Sequence, residues 1–267
     1  MISGWRLRFN IMKILFTDLD GTLVNNQDPI NIRDIEALYK FQKEGHKVVL
    51  CTGRTYHETE ALLGYIPYDY LILSNGGQIR DKKEILFNHL IDQKTGIKIL
   101  DDLMMKTSDL FFGDERGMFC YKDHHTYKIT DKPYLIDSSF QNEYRQSEGF
   151  SIICIYARNH IDDLMNYCNQ YQNTVTVHQN DLFIDIVPRD CSKKSGIEEL
   201  MTLLKADQTI GIGNSYNDLP MIKAVDKGCT FYHASIDAEY KYHYVYELIE
   251  ELLEGEKYEL AEEFKKD

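Results

Sequence analysis

Two carboxylates two residues apart stand at the end of a short apolar run, where Ile14-Leu15-Phe16-Thr17 leads into Asp18-Leu19-Asp20-Gly21-Thr22-Leu23. At the end of a strand both side chains can address one site. Asp18 then has the placement to attack phosphorus and form an aspartyl-phosphate. Asp20 can give a proton to the departing oxygen and later take one from water. Gly21 allows the sharp turn that follows. A bare D-x-D pair could equally cap a helix; the full string after an apolar strand favours chemistry.

Three further clusters could serve the same reaction. In Thr52-Gly53-Arg54 a hydroxyl and unobstructed loop N–H groups can hold a phosphoryl oxygen, and Arg54 is either a substrate contact or a surface charge. Lys193, in Cys191-Ser192-Lys193-Lys194, can neutralise a carboxylate and an incoming phosphate together. Lysines are poorly placed for the dipole of a helix first turn, so a local reason for them is expected. In Gly213-Asn214-Ser215-Tyr216-Asn217-Asp218 the side-chain oxygens of Asn214 and Asp218 could join Asp18 around a magnesium ion, which prefers oxygen ligands and keeps several waters. Asn217 could donate to the phosphate surroundings. Taken singly, each cluster could be a turn, a pair of solvated lysines or a helix cap.

These clusters need a frame that gathers them. Apolar runs at 14–17, 48–51 and 71–73 read as buried strands, separated by a helix capped by Asn31 and a second helix after Arg54. Gly45 sits where a helix C-cap belongs. The rhythm returns with a helix at 192–204, a strand at 209–212 and a helix at 215–224. Alternation of this kind builds a parallel sheet, whose ligands bind beyond the carboxyl ends of its strands. The middle of the chain reads differently: strands at 110–112, 118–121, 152–156, 175–177 and 182–187, with helices near 92–106 and 161–172. The expected organisation is an α/β core from 12–85 and 187–267, a mixed block inserted at 86–186, and an upstream extension at 1–11. The Glu-rich stretch after Glu250 reads as a terminal helix with one packed face.

Composition narrows the function. The chain has 267 residues and a net charge of −13, which argues against nucleic acid and anionic lipid as partners. No apolar run is long enough to span a membrane. The six cysteines show no zinc-site spacing and read as free buried thiols of a reducing, cytoplasmic compartment.

In order and chemistry the four clusters resemble the haloacid dehalogenase superfamily, and in detail its Cof-type phosphatases. The resemblance runs from about Lys13 to about Val225, with Asn75-Gly76-Gly77 matching a family loop ahead of the insertion. It implies a Rossmann-like core under a mobile α/β cap at 86–186, and a magnesium-dependent phosphatase acting on sugar phosphates or similar small phosphorylated metabolites. By the same resemblance Asp18 is the nucleophile and Asp20 the acid/base, with Lys193 beside them. Thr52, Gly53, Arg54 and Asn217 line the substrate site, and Asp18, the main-chain carbonyl of Asp20, Asn214 and Asp218 hold Mg²⁺. Lys193 rather than Lys194 takes the lysine role because it directly follows Ser192. Asp20, the acid after D-x, also separates this chain from the superfamily's transport ATPases, which carry D-K-T-G-T there.

One departure stands out: the family usually has G-D-x-x-N-D where this chain has Gly213-Asn214. A neutral amide in place of a carboxylate predicts weaker Mg²⁺ binding. Two rivals remain open: a phosphomutase of the same superfamily, and a non-catalytic phosphometabolite-binding protein. A plain response-regulator-like acceptor is disfavoured by the size of the insertion. Tyr121, His124, His125 and Tyr127 are possible substrate contacts from the cap, though a surface role fits each of them as well.

Overall fold

The protein is described by a computed structural model covering residues 11–24, 30–107, 109–121, 135–136, 140–157, 160–180 and 182–263. The expected extension at 1–11 lies almost wholly outside these residues, as do His124, His125 and Tyr127.

Lys13–Thr17 forms β1, buried along its whole length. Ile32–Lys43 is α1, capped as expected by the Asn31 side chain, which accepts from Arg33 N. Gly45, at φ +98°, follows α1 in the left-handed conformation that ends helices. Next come β2 (Lys47–Cys51), α2 (Tyr56–Thr59) and β3 (Tyr70–Leu73). The helix expected after Arg54 is therefore a single turn. A hairpin of β4 (Gln78–Asp81) and β5 (Ile85–Asn88) follows.

The middle of the chain contributes β6 (Ile91–Asp92), α3 (Gln93–Met104), β7 (Leu110–Asp114), β8 (Gly117–Tyr121) and β9 (Leu135–Ile136). It continues with α4 (Phe140–Gln146), β10 (Gly149–Phe150), β11 (Ile152–Tyr156) and α5 (Ile161–Cys168). It ends in β12 (Val175–Asn180) and β13 (Phe183–Pro188). The chain then resumes βα alternation with α6 (Lys193–Leu200), β14 (Gln208–Ile212), α7 (Leu219–Ala224), β15 (Lys227–Phe231), β16 (Tyr240–Tyr242) and α8 (Val245–Glu263).

Two main sheets result. The first is eight-stranded in the order β16-β15-β14-β1-β2-β3-β4-β5. It is parallel from β16 through β3, with the β4–β5 hairpin added antiparallel at one edge. β1 lies between β14 and β2, so the strand order reverses there and opens a crevice at the carboxyl ends. The second is a six-stranded, mostly antiparallel sheet, β12-β13-β11-β7-β8-β9. The α/β class read from the sequence is the class observed.

Each sheet has its own apolar interior. On one side of the first sheet, Leu15, Leu50, Leu71 and Ile210 pack with Leu38 and Phe41 of α1 and Leu248, Ile249 and Leu252 of α8. On the other, Ile14, Phe16, Val49 and Ile72 pack with Ile197 and Leu200 of α6 and Met221 of α7. Burial on both faces is why these strands are continuous apolar runs. The second sheet alternates. Leu110, Phe112, Phe119, Ile153, Ile155, Ile184 and Ile186 face α3, α4 and α5. The residues between them, including Phe111, Met118, Cys120, Ile152, Cys154 and Val187, form a separate cluster on the opposite face. Period-two alternation thus divides the sheet between its helices and the first sheet.

The expected boundary at residue 86 falls within β5, which pairs inside the eight-stranded sheet, and β13 runs past 186 to Pro188. The sequence does not mark the hairpin, because Ile85-Leu86-Phe87 resembles the start of the next block. α8 begins earlier than the Glu-rich stretch suggested, and it buries Val245, Leu248, Ile249, Leu252 and Leu253. None of the six cysteines forms a disulfide, and all six are buried. No helix among the described residues is long and apolar enough to cross a membrane.

Candidate active site

Four loops leave the carboxyl ends of β1, β2, β3 and β14 side by side, because those strands are neighbours. The backbone ties them together. Asp18 N donates to Ile212 O at 3.0 Å, joining the ends of β1 and β14. Thr52 N donates to Ile72 O at 2.9 Å, joining β2 to β3, and Asn75 N returns to Thr52 O at 3.1 Å. Main-chain bonds of this kind fix the loops before any side chain acts.

At the centre Lys193 Nζ donates to Asp18 Oδ1 and to Asp218 Oδ1, each at 2.5 Å. The lysine side chain is fully buried, as is Asp218, and Asp18 nearly so. Lys193 is the first residue of α6, whose N-cap is Ser192 in a reciprocal pair with Ser195. A cation is unfavourable at that helix end. The two carboxylates outweigh this and supply the local reason the sequence called for. Burial alone would discharge Lys193, but Asp18 and Asp218 hold its ammonium above the ordinary lysine range. Burial pushes the Asp18 carboxyl up to about 7; Asp218 and Asp20 add to the rise and Lys193 opposes it.

The rest of the fourth loop is held by Asp218. Its Oδ2 accepts from Asn214 N and Ser215 N, both at 2.9 Å. Asn214 Oδ1 faces the first loop and accepts from Thr22 Oγ1 at 3.4 Å. Gly21, at φ +77°, lets the first loop come this close. A Cβ there would lie 2.3 Å from Asn214 Nδ2. Asn217 is tied to the loops around it: its Oδ1 accepts from Ser215 Oγ at 2.5 Å and its Nδ2 donates to Asn75 Oδ1 at 3.3 Å.

Arg54 and Thr52 are both engaged within the protein. Arg54 is turned toward Asp20: Nε donates to Oδ2 at 2.7 Å and Nη2 to Oδ1 at 2.5 Å, while Nη1 donates to Glu58 O at 3.2 Å. Its planar fork matches a carboxylate, so a neighbouring anion captures it. Thr52 is buried, and its Oγ1 accepts from Arg54 N at 3.1 Å.

Asp18, Asp20, Thr52, Gly53, Arg54, Lys193, Asn214, Asn217 and Asp218 therefore occupy one neighbourhood. Two residues in it carry no site role from the sequence, where Asn75 figured only as part of a loop ahead of the insertion and Asp185 not at all. Asn75 links the third and fourth loops, and Asp185 of β13 reaches it from the second sheet at 3.0 Å. Nothing in the local pattern marks Asp185, since an acid between apolar residues of a strand reads as a solvent-facing position. The pairing of Cys154 with Asp185 across β11 and β13 places it on the face turned toward the first sheet.

The donor set fits a hard divalent cation. Among the described residues no group of three or more His, Cys, Asp or Glu side chains could hold a metal by itself. The oxygens on offer are mixed carboxylate and amide, a set that suits an ion retaining several waters. Two carboxylates, Asp18 and Asp218, share the single ammonium of Lys193, which leaves net negative charge at this point. A cation would balance it.

Known proteins resemble this chain in sequence and in fold. Phosphatase YwpJ of Bacillus subtilis is 22% identical over 263 residues, covering 85% of this chain and 91% of its own. A glucosyl-3-phosphoglycerate/mannosyl-3-phosphoglycerate phosphatase of Persephonella marina is 25% identical over 233 residues, covering 80% and 82%. The crystal structure of a haloacid dehalogenase-like hydrolase from Bacteroides thetaiotaomicron superposes with a TM-score of 0.77 at 21% identity, covering 90% of this chain and 99% of that one. The family model for haloacid dehalogenase-like hydrolases matches residues 15–250, which include all four loops and the second sheet between them, and the chain belongs to that family.

Proposed function

We propose that the protein is a magnesium-dependent phosphatase that hydrolyses small phosphorylated metabolites through an aspartyl-phosphate on Asp18. One observation carries this reading: Lys193 is buried between Asp18 and Asp218, drawing three distant chain segments onto one nitrogen. A buried triad of this kind is costly to assemble for stability alone, and it suits a reaction whose transition state carries spread negative charge.

Asp18 attacks the phosphorus in line with the departing oxygen. Lys193 lowers the repulsion between the Asp18 carboxylate and the incoming dianion. Thr52 and the N–H groups of its loop orient the phosphoryl oxygens. Asp20 protonates the leaving alcohol, then takes the proton of the water that attacks the aspartyl-phosphate. Arg54 holds Asp20 in place, and a phosphate entering the crevice competes for its fork. Asp18, the Asp20 carbonyl, Asn214 and Asp218 would hold Mg²⁺, which supplies positive charge to the phosphoryl oxygens. Residues from about 89 to 188 act as a cap that covers the crevice and reads the rest of the substrate. The relatives named as sugar-derivative phosphatases support this substrate class.

The test is phosphate release across a panel of sugar phosphates, nucleotides and other phosphomonoesters, with and without Mg²⁺. Release that needs Mg²⁺ and disappears in Asp18→Asn supports the reading. Undiminished release by Asp18→Asn removes the nucleophile assignment.

A further inference from the structure

The carboxylate of Asp185 belongs to the second sheet yet is enclosed against the first. It is only 3% exposed. Its partners are three neutral donors: Asn75 Nδ2 at 3.0 Å, Asn180 Nδ2 at 3.4 Å and Cys154 Sγ at 3.4 Å. Burial pushes the carboxyl up to about 6, against the lowering effect of those donors. A buried acid held only by neutral donors is expensive in folding terms, so a stabilising role explains it poorly. The first sheet leaves room for it: a Cβ on Gly53 would stand 3.0 Å from Asp185 Oδ2.

Asn75 is equally specific. It sits at φ +50°, where asparagine is tolerated better than most residues. Its backbone N–H is bonded to Thr52 O and its Oδ1 to Asn217 Nδ2. A carboxylate can only accept, so Asn75 must give Asp185 its amide N–H and keep its oxygen for Asn217. The polar chain therefore runs from Asp185 through Asn75 to both Thr52 and Asn217. Asp185 itself lies eight residues before Lys193 on the strand that leads into α6.

We propose that Asp185 and Asn75 form a latch between the two sheets: Asp185 is the positioning residue through which the second sheet orders the Ser74–Gly77 loop and, through it, Thr52 and Asn217. This rests on the phosphatase reading for its consequence in turnover, but the contact is measurable without turnover. The latch needs an acceptor at 185, not a charge.

The experiment compares full-length wild type with Asp185→Ala, Asp185→Asn, Asn75→Gly and the Asp185→Ala/Asn75→Gly double variant; glycine at 75 removes the amide without straining the backbone. In hydrogen-exchange mass spectrometry, Asp185→Ala should speed exchange at 74–77 about tenfold, and the double variant should be no faster than either single one. With p-nitrophenyl phosphate, kcat should fall about tenfold in Asp185→Ala with KM within about twofold, and Asp185→Asn should recover most of the loss. Additive effects in the double variant, unchanged exchange at 74–77, or Asp185→Asn as impaired as Asp185→Ala would overturn the latch. If Asp185→Ala does not fold, Asn75→Gly must raise exchange at 183–186, and protection unchanged there overturns it. Wild type that hydrolyses no phosphate ester defeats the phosphatase reading instead, while the exchange data still decide the latch.

Discussion

Individual side chains here work under heavy electrostatic constraint. Lys193 neutralises two buried carboxylates, so its loss affects structure as well as reaction. Lys193→Met should abolish phosphate release and lower stability by about 3–5 kcal/mol near pH 8, because unpaired buried charge is what remains. The deficit should shrink as pH falls toward 5, where the orphaned acids can take protons. Denaturant titrations at the two pH values check this, and a deficit independent of pH would contradict it. Asn214 poses the opposite question. Its amide oxygen faces Thr22 in the first loop, and a carboxylate in its place would add negative charge where the cation is needed. Asn214→Asp should lower the Mg²⁺ concentration for half-maximal activation by roughly tenfold. An unchanged or weaker dependence on Mg²⁺ would refute the ligand role of this residue.

Elements hold those residues in place through contacts that few sequence signals announce. α8 closes one side of the eight-stranded sheet, and its first turn is capped from another helix: Tyr246 N donates to Asp34 Oδ1 of α1 at 2.8 Å. Burial pushes the Asp34 carboxyl up to about 6, although the N–H groups of Tyr246 and Val245 hold it lower. Its folded value thus exceeds the usual 3.8, and folding favours the protonated form. Asp34 therefore drains stability as pH rises from about 4 to about 6. Asp34→Asn keeps an acceptor for the cap and should flatten that part of the stability profile. Asp34→Ala removes the cap and should cost about 1–2 kcal/mol at pH 7. Thermal melts from pH 4 to pH 8 separate the two, and an Asp34→Asn profile as steep as wild type would count against the titration.

Across the whole molecule, two apolar interiors are stacked with a polar crevice between them. Phe112 sits at the middle of the second interior, stacked on Phe119 at 4.6 Å between ring centroids and edge-on to Phe140, Tyr144 and Phe150. Phe112→Ala should destabilise by about 3–5 kcal/mol. Because that cluster is separate from the one under β1, the loss should be local. Hydrogen exchange should accelerate at 110–121 and 152–156 while 13–17 and 208–212 stay protected. Uniform loss of protection would mean that the two interiors unfold as one unit.

The sequence by itself determined the α/β class and most strands of the parallel sheet, because a strand buried on both faces must be an unbroken apolar run. It also marked the four polar loops, since glycine, acid and amide residues at strand ends are visible without coordinates. Asn31 as a helix cap and Gly45 as a helix terminator were legible for the same reason: capping chemistry is local. Only the tertiary structure decided who meets whom. The β4–β5 hairpin joined the first sheet through edge pairing that its own residues do not specify. Arg54 turned to Asp20 because the adjacent strands β1 and β2 bring the carboxylate within reach of its fork. Asn75 and Asp185, 110 positions apart, bond only because one sheet lies over the other. Local spacing encodes conformation, whereas charge pairing and closure depend on distances that exist only once the chain has folded.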